Sequence, residues 1–170
     1  MIELSEARAR LTAGADTIGA LLRGVDDEQA RWKPTPERWS MLEVISHLAD
    51  EEREDFRVRV EYIINRPGEV WPKIDPEGWV TSRNYAGRDF LASLKNFAEE
   101  RAASLAWLSE LRAPDWDKAY EHPSGPLRAG DIMAAWIAHD LLHIRQILKL
   151  HYDSLDVRVG DYSLAYAGRW

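Results

Sequence analysis

The chain contains no cysteine. That excludes disulfides, thiolate metal ligands and a cysteine nucleophile together, and leaves imidazole and carboxylate as the donors for any metal. Positive charge is also in short supply. Only 22 Lys and Arg stand against 29 Asp and Glu, a formal net charge of −7. No stretch gathers Lys and Arg on one face. A footprint that neutralises phosphates is therefore missing, which argues against nucleic acid and against an anionic membrane surface as partners. No segment approaches the ~20 consecutive apolar residues of a membrane span. The start, Met1-Ile2-Glu3-Leu4-Ser5-Glu6, has no basic region followed by an apolar run, so the expected location is cytoplasmic. H-E-x-x-H, G-x-S-x-G and a Gly-rich phosphate loop are absent too, which sets aside the common zinc-protease, serine-hydrolase and nucleotide-binding patterns.

What is there reads as a helical domain. With 170 residues, 45% hydrophobic and 30% charged, the chain has the size and composition of one globular domain spanning residues 1–170. Leu4, Leu11, Ile18, Leu21, Leu22 and Val25 recur at the spacing of an amphipathic helix, which Pro34 and Pro36 follow with extended chain. Ser40-Met41-Leu42-Glu43 fits a capping box opening a second helix, whose apolar set is Leu42, Ile45, Leu48, Ala49, Phe56, Val60 and Ile63. Asn65-Arg66-Pro67-Gly68 stops it. A long connection over 66–85 precedes a third helix from about Gly87 to Arg112, carrying Phe90, Leu94, Phe97, Leu105, Leu108 and Leu111. A second connection, 113–128, has Pro123-Ser124-Gly125-Pro126 and room for a short hairpin. The fourth helix runs from about Ala129 to His151. No alternating strand pattern exceeds a few residues, so the expected class is all-α.

The chemistry is written on the second and fourth helices. His139 and His143 are four apart, one helical turn, and present their imidazoles to the same side. Ile132, Trp136, His139, His143, Ile147 and Leu150 form a row of core-facing spacing, so both histidines point inward, where polar groups need partners. Two hydrogen-bonded core histidines would satisfy that spacing equally well. His47 on the second helix favours the metal reading, because one histidine from one helix and a pair from another can hold an ion within a bundle. Such a set leaves coordination positions open, as catalytic zinc sites do. A di-iron centre of the ferritin type is excluded, since Val44 and Trp136 stand where its Glu-x-x-His motifs need glutamate.

The stretch Trp39-Ser40-Met41-Leu42-Glu43-Val44-Ile45-Ser46-His47-Leu48-Ala49-Asp50-Glu51-Glu52 resembles the first signature of the DinB/YfiT-like superfamily. His139-Asp140-Leu141-Leu142-His143-Ile144-Arg145-Gln146-Ile147 resembles the second. The likeness extends to helix order and loop lengths along nearly the whole chain. It implies an up-down-down-up four-helix bundle with long connections, and one divalent metal ion, zinc or nickel, on His47, His139 and His143. It further implies a metal-dependent transfer of thiols, with a low-molecular-weight thiol as co-substrate, or a hydrolase. A non-catalytic metal or small-ligand binding protein on the same scaffold is the alternative. Together with the aromatic tail Tyr162, Tyr166 and Trp170, the resemblance implies a homodimer acting on a small molecule.

Other polar residues have competing readings. Asp50 and Glu51, one turn after His47, are candidates for general base or for orienting an imidazole, but the run Asp50-Glu51-Glu52-Arg53-Glu54-Asp55 reads equally as a solvated acidic face. Glu43 is accounted for by the capping box. Asp140 lies about 100° around the helix from His139, toward solvent or a neighbouring helix. Gln146 is placed to line a pocket or to bridge helices. His122 is expected in an exposed loop and His151 at a helix C-terminus, while Trp71 and Trp79, in the long connection, are placed to touch a ligand.

Overall fold

In the computed structural model, residues 3–123, 125–168 and 170 are described; Met1, Ile2, Arg169 and Ser124, which falls in the expected hairpin turn, lie outside them. The protein is an up-down-down-up four-helix bundle. Its long helices are α1 (Leu4–Leu22), a composite of α3 (Met41–Glu51), a π-helical turn (Glu52–Phe56) and α4 (Arg57–Asn65), then α6 (Phe90–Glu110) and α7 (Ala129–Arg158). α1 packs along α7 and α6, α3 along α6, and α4 against α7. Two short helices, α2 (Asp27–Arg31) and α5 (Pro76–Ser82), sit in the connections. The anticipated hairpin forms from β1 (Ala119–His122) and β2 (Gly125–Arg128), paired antiparallel.

The start of α3 follows from its sequence. Ser40 Oγ accepts from the Glu43 amide at 3.3 Å, and Glu43 Oε2 accepts from the Ser40 amide at 2.8 Å. Lys33 then holds Glu43 Oε1 at 2.7 Å. Every residue of α3 from Met41 to Glu51 is buried. Of the two readings of the acidic run, the solvated face is therefore absent at its first three positions: Asp50 is 1%, Glu51 4% and Glu52 2% exposed. The cause is the long connection after α4. It is not a bare loop: α5 and a 3₁₀ turn at Tyr85–Gly87 fold back over α3, and Arg83, Tyr85 and Arg88 approach the acids.

Two apolar clusters fill the bundle. One gathers Ile18, Leu42, Leu48, Phe97 and Ile147. The other gathers Leu11, Val60, Leu108, Met133 and Trp136. Between them lies a polar layer to which each long helix contributes. Arg101 of α6, 2% exposed, donates to Asp140 of α7 through both terminal nitrogens at 2.8 Å. It also donates to Glu52 in the π turn at 2.7 Å and to the Leu11 carbonyl at 2.6 Å. Trp136 Nε1 donates to the same Glu52 oxygen at 2.5 Å. α1 meets this layer at Gly14, where a Cβ would stand 2.1 Å from Asp140 Oδ2, so only glycine lets α1 pass this close.

The buried row of α7 is Ala129, Met133, Trp136, Asp140, His143, Ile147, Leu150 and Ser154. It runs through Asp140, with the half-buried His139 on its flank. α7 also continues past the expected end at His151. That imidazole sits inside the helix, near Gln29 Nε2 at 3.1 Å and the Leu21 carbonyl at 2.8 Å, and so fastens the end of α1 rather than capping a terminus.

Candidate metal centre

His47, His139 and His143 meet. One potential ligand atom from each lies within 4.8 Å of the other two, and among the described residues no fourth histidine, aspartate or glutamate joins the group. His139 Nε2 stands 3.3 Å from His47 Nε2 and 3.0 Å from His143 Nε2. Two elements supply them: α3 gives His47 from its fully buried length, and α7 gives the pair one turn apart. Trp39, just before the Ser40 cap, lies against His47 with ring centroids 4.9 Å apart. Phe56, at the end of the π turn, lies 5.0 Å from His139 and stacks on Trp136 at 5.8 Å. π turns are frequent at functional sites. Here the turn aims Glu52 at the polar layer and Phe56 at the imidazoles.

The surroundings set the protonation of these rings. Burial, then the neighbouring His143, lowers the His47 imidazole to about 3, against an upward pull from Asp50. Burial, then His143, His47 and Arg101, lowers His139 to about 2. His143 is lowered by burial, and its bond to Gln146 opposes the shift. All three are thus neutral near pH 7, the form that offers a lone pair. His143 Nδ1 lies 2.8 Å from Gln146 Oε1. An amide oxygen can only accept, so Nδ1 carries the proton and Nε2 faces its neighbours with the lone pair. Two neutral imidazole nitrogens at this separation repel unless a proton or a cation lies between them. The donor set, neutral and convergent, fits a divalent ion of the kind that imidazole binds. Among the described residues, His47 Nδ1 is buried without a partner.

A cavity of about 450 Å³ opens beside His143 and Gln146, with Trp39 and Leu150 among its walls. Asp50 and Glu51 are not among its lining residues. Asp50 accepts from Tyr85 Oη at 2.6 Å, Arg53 Nη2 at 2.5 Å and Arg83 Nη1 at 2.9 Å. Burial alone would raise its carboxyl, but these bonds and the charges of Arg88 and Arg53 hold it below the usual carboxylate range. Glu51 is the opposite case. Burial, then the charge of Asp55, pushes its carboxyl well above that range, and among the described residues Oε1 has no partner.

Among the lesser candidates, Glu43 serves the cap and Lys33, and Asp140 turns to the neighbouring α6 rather than to solvent. His122 is exposed. Trp71 stacks on Tyr120 at 4.0 Å under Arg59, and Trp79 is buried beneath Arg83, so both are spent on packing the connection. The tryptophans that line the cavity are Trp39 and Trp170. Arg101 is a site neighbour that sequence reasoning missed. Its signal was a gap in the third helix's apolar row, four residues after Phe97, filled by a charge.

The family model described as the DinB superfamily matches residues 6–147. No curated protein matches the chain. Among solved structures the chain is similar to YfiT from Bacillus subtilis, described as a probable metal-dependent hydrolase with an unusual four-helix bundle topology. The TM-score is 0.76 at 17% identity, over 88% of this chain and 88% of that one. At that identity the likeness is one of fold.

Proposed function

This chain belongs to the DinB superfamily, and on that premise we propose that it is a metal-dependent enzyme in which His47, His139 and His143 hold one divalent ion, zinc or nickel. The observation that carries this reading is the convergence of three neutral imidazoles, with the His143 tautomer set by Gln146, beside a cavity of small-molecule size. When bound, a divalent ion on three imidazoles supplies Lewis acidity that makes a thiol or a water nucleophilic at neutral pH. The protein's own part is orientation and exclusion of water. Gln146 keeps the lone pair of His143 aimed inward, Trp39 and Phe56 cover the imidazoles, and the Asp50 cluster fixes the turn of α3 that follows His47. Asp50 is therefore assigned a positioning role. Of the two acids, Glu51 keeps one oxygen unpartnered among the described residues and is the one assigned to proton exchange.

Two reactions suit such a site, transfer of a low-molecular-weight thiol to an electrophile and hydrolysis. The fold shared with a structure described as a probable metal-dependent hydrolase favours hydrolysis. From the family resemblance we propose a cytoplasmic homodimer. Separately, no helix among the described residues is long and apolar enough to cross a membrane. The test is turnover on a panel of esters and amides, and of electrophiles with added thiols. Metal-loaded, chelated and reloaded protein are compared with a His139→Ala variant. Activity that disappears on chelation, returns on reloading and is absent from the variant supports the enzyme. Metal binding without turnover on any member of the panel supports a non-catalytic binding protein instead.

A further inference from the structure

The cavity beside His143 has a charge opposite to that of the chain. Acids outnumber bases 29 to 22 overall, yet the cavity walls carry Arg38, Arg145 and Lys149 against Asp153 alone. Lys149 is paired with Asp153, one turn further along α7. Neither arginine has a carboxylate partner among the described residues. The two come from different places, Arg38 from the turn before the Ser40 cap and Arg145 from α7 two residues after His143, and they reach the same opening. Apart from His143 and Gln146, the remaining wall is apolar, with Trp39, Leu150 and Trp170.

From this arrangement the geometry points to a substrate subsite for a small anion with an apolar body. Its carboxylate or phosphate sits on Arg38 and Arg145, its body lies on Trp39 and Leu150, and its other end is presented to His143. A guanidinium offers planar paired donors that match both kinds of anion. At about 450 Å³ the cavity takes a molecule of one ring and a short side chain. In a chain of net charge −7, two unpaired arginines at one opening also draw anions there and repel cations. The inference rests on the reading of the three histidines as the reacting end of the site, and it gives that reading a substrate class.

Binding of phenylacetate, phenyl phosphate, phenylacetamide and phenethylamine to the full chain, measured by calorimetry with and without zinc, tests the subsite. Both anions bind roughly tenfold more tightly than the neutral amide at low salt, the worth of two partly solvated ion pairs. The amine binds most weakly. Arg38→Gln with Arg145→Gln abolishes the preference and leaves amide binding unchanged, and the stronger of the two anions identifies the head group. Equal affinity for all four probes, or a preference that survives the double substitution, overturns the subsite. A preference seen only with zinc and untouched by the substitutions would mean that the anion sits on the metal. That result overturns the arginine subsite while leaving the metal reading intact.

Discussion

Replacing Arg101 by methionine removes a guanidinium that is 2% exposed and donates to Asp140, Glu52 and the Leu11 carbonyl. Two buried carboxylates then face each other without a cation, Asp140 and Glu52 being 3% and 2% exposed. Breaking a buried ion pair by deleting one partner costs about 3–5 kcal/mol. For a domain of this length each kcal/mol lowers Tm by roughly 2–4 °C, so the variant should melt roughly 6–20 °C lower. Reversible thermal or urea unfolding followed by circular dichroism reads the difference. Removing the whole charged set separates the stranded charges from lost volume. Arg101→Met combined with Asp140→Leu and Glu52→Gln leaves an acceptor for Trp136 and should recover most of the loss, because no charge remains buried alone. An Arg101→Met variant within about 1 kcal/mol of the parent would refute the reasoning, a margin ordinary for surface substitutions. A triple variant no more stable than the single one would refute it equally.

Gly14→Ala drives a Cβ to 2.1 Å from Asp140 Oδ2, an atom already held by Arg101, and should cost about 1–3 kcal/mol. Gly19→Ala in the same helix meets nothing within 4 Å and should stabilise by roughly 0.5–1 kcal/mol, so equal effects in urea melts would contradict the close approach. Glu51 has its carboxyl raised from an ordinary 4.5 to about 8. Its contribution to stability is therefore complete below pH 4.5 and is lost as pH climbs through that window. Glu51→Gln should flatten the fall in stability across that window, and parallel profiles for parent and variant would show that another group is responsible. Gln146→Leu removes the acceptor that orients His143 and should weaken zinc binding roughly 10- to 100-fold in competition with a chromophoric chelator. Unchanged affinity would mean that the imidazole does not depend on that bond.

The features legible in the sequence were those that local chemistry determines. The Ser40 capping box depends on two residues three apart, and it forms as read. The hairpin between Ala119 and Arg128 follows from its turn residues, and the pairing of His139 with His143 follows from helical pitch. Hidden features depended on distant partners. Burial of Asp50 and Glu52 comes from Arg83, Tyr85 and Arg101, 33 to 49 positions away from the acids they meet, and no periodicity count weights a charge as core. The π turn at Glu52–Phe56 is written in residues that suit an ordinary helix; its cause is the demand that Glu52 reach Arg101 and Trp136 while Phe56 covers His139. For the same reason the buried row of α7 runs through Asp140, whose ion pair with α6 draws it inward and leaves His139 on the flank.

The central claim, that three convergent imidazoles hold one metal ion, is tested most directly by metal stoichiometry across a set of histidine variants. Protein purified without a polyhistidine tag or chelator is analysed for metal and titrated with zinc and nickel. His47→Ala, His139→Ala and His143→Ala are set against His122→Ala and His151→Ala, whose imidazoles lie outside the cluster. The account predicts close to one ion per chain in the parent and in the two controls, and loss of tight binding in each of the three cluster variants. Protein that is isolated metal-free and takes up neither metal at micromolar concentration would contradict it, as would equal affinity in all five variants.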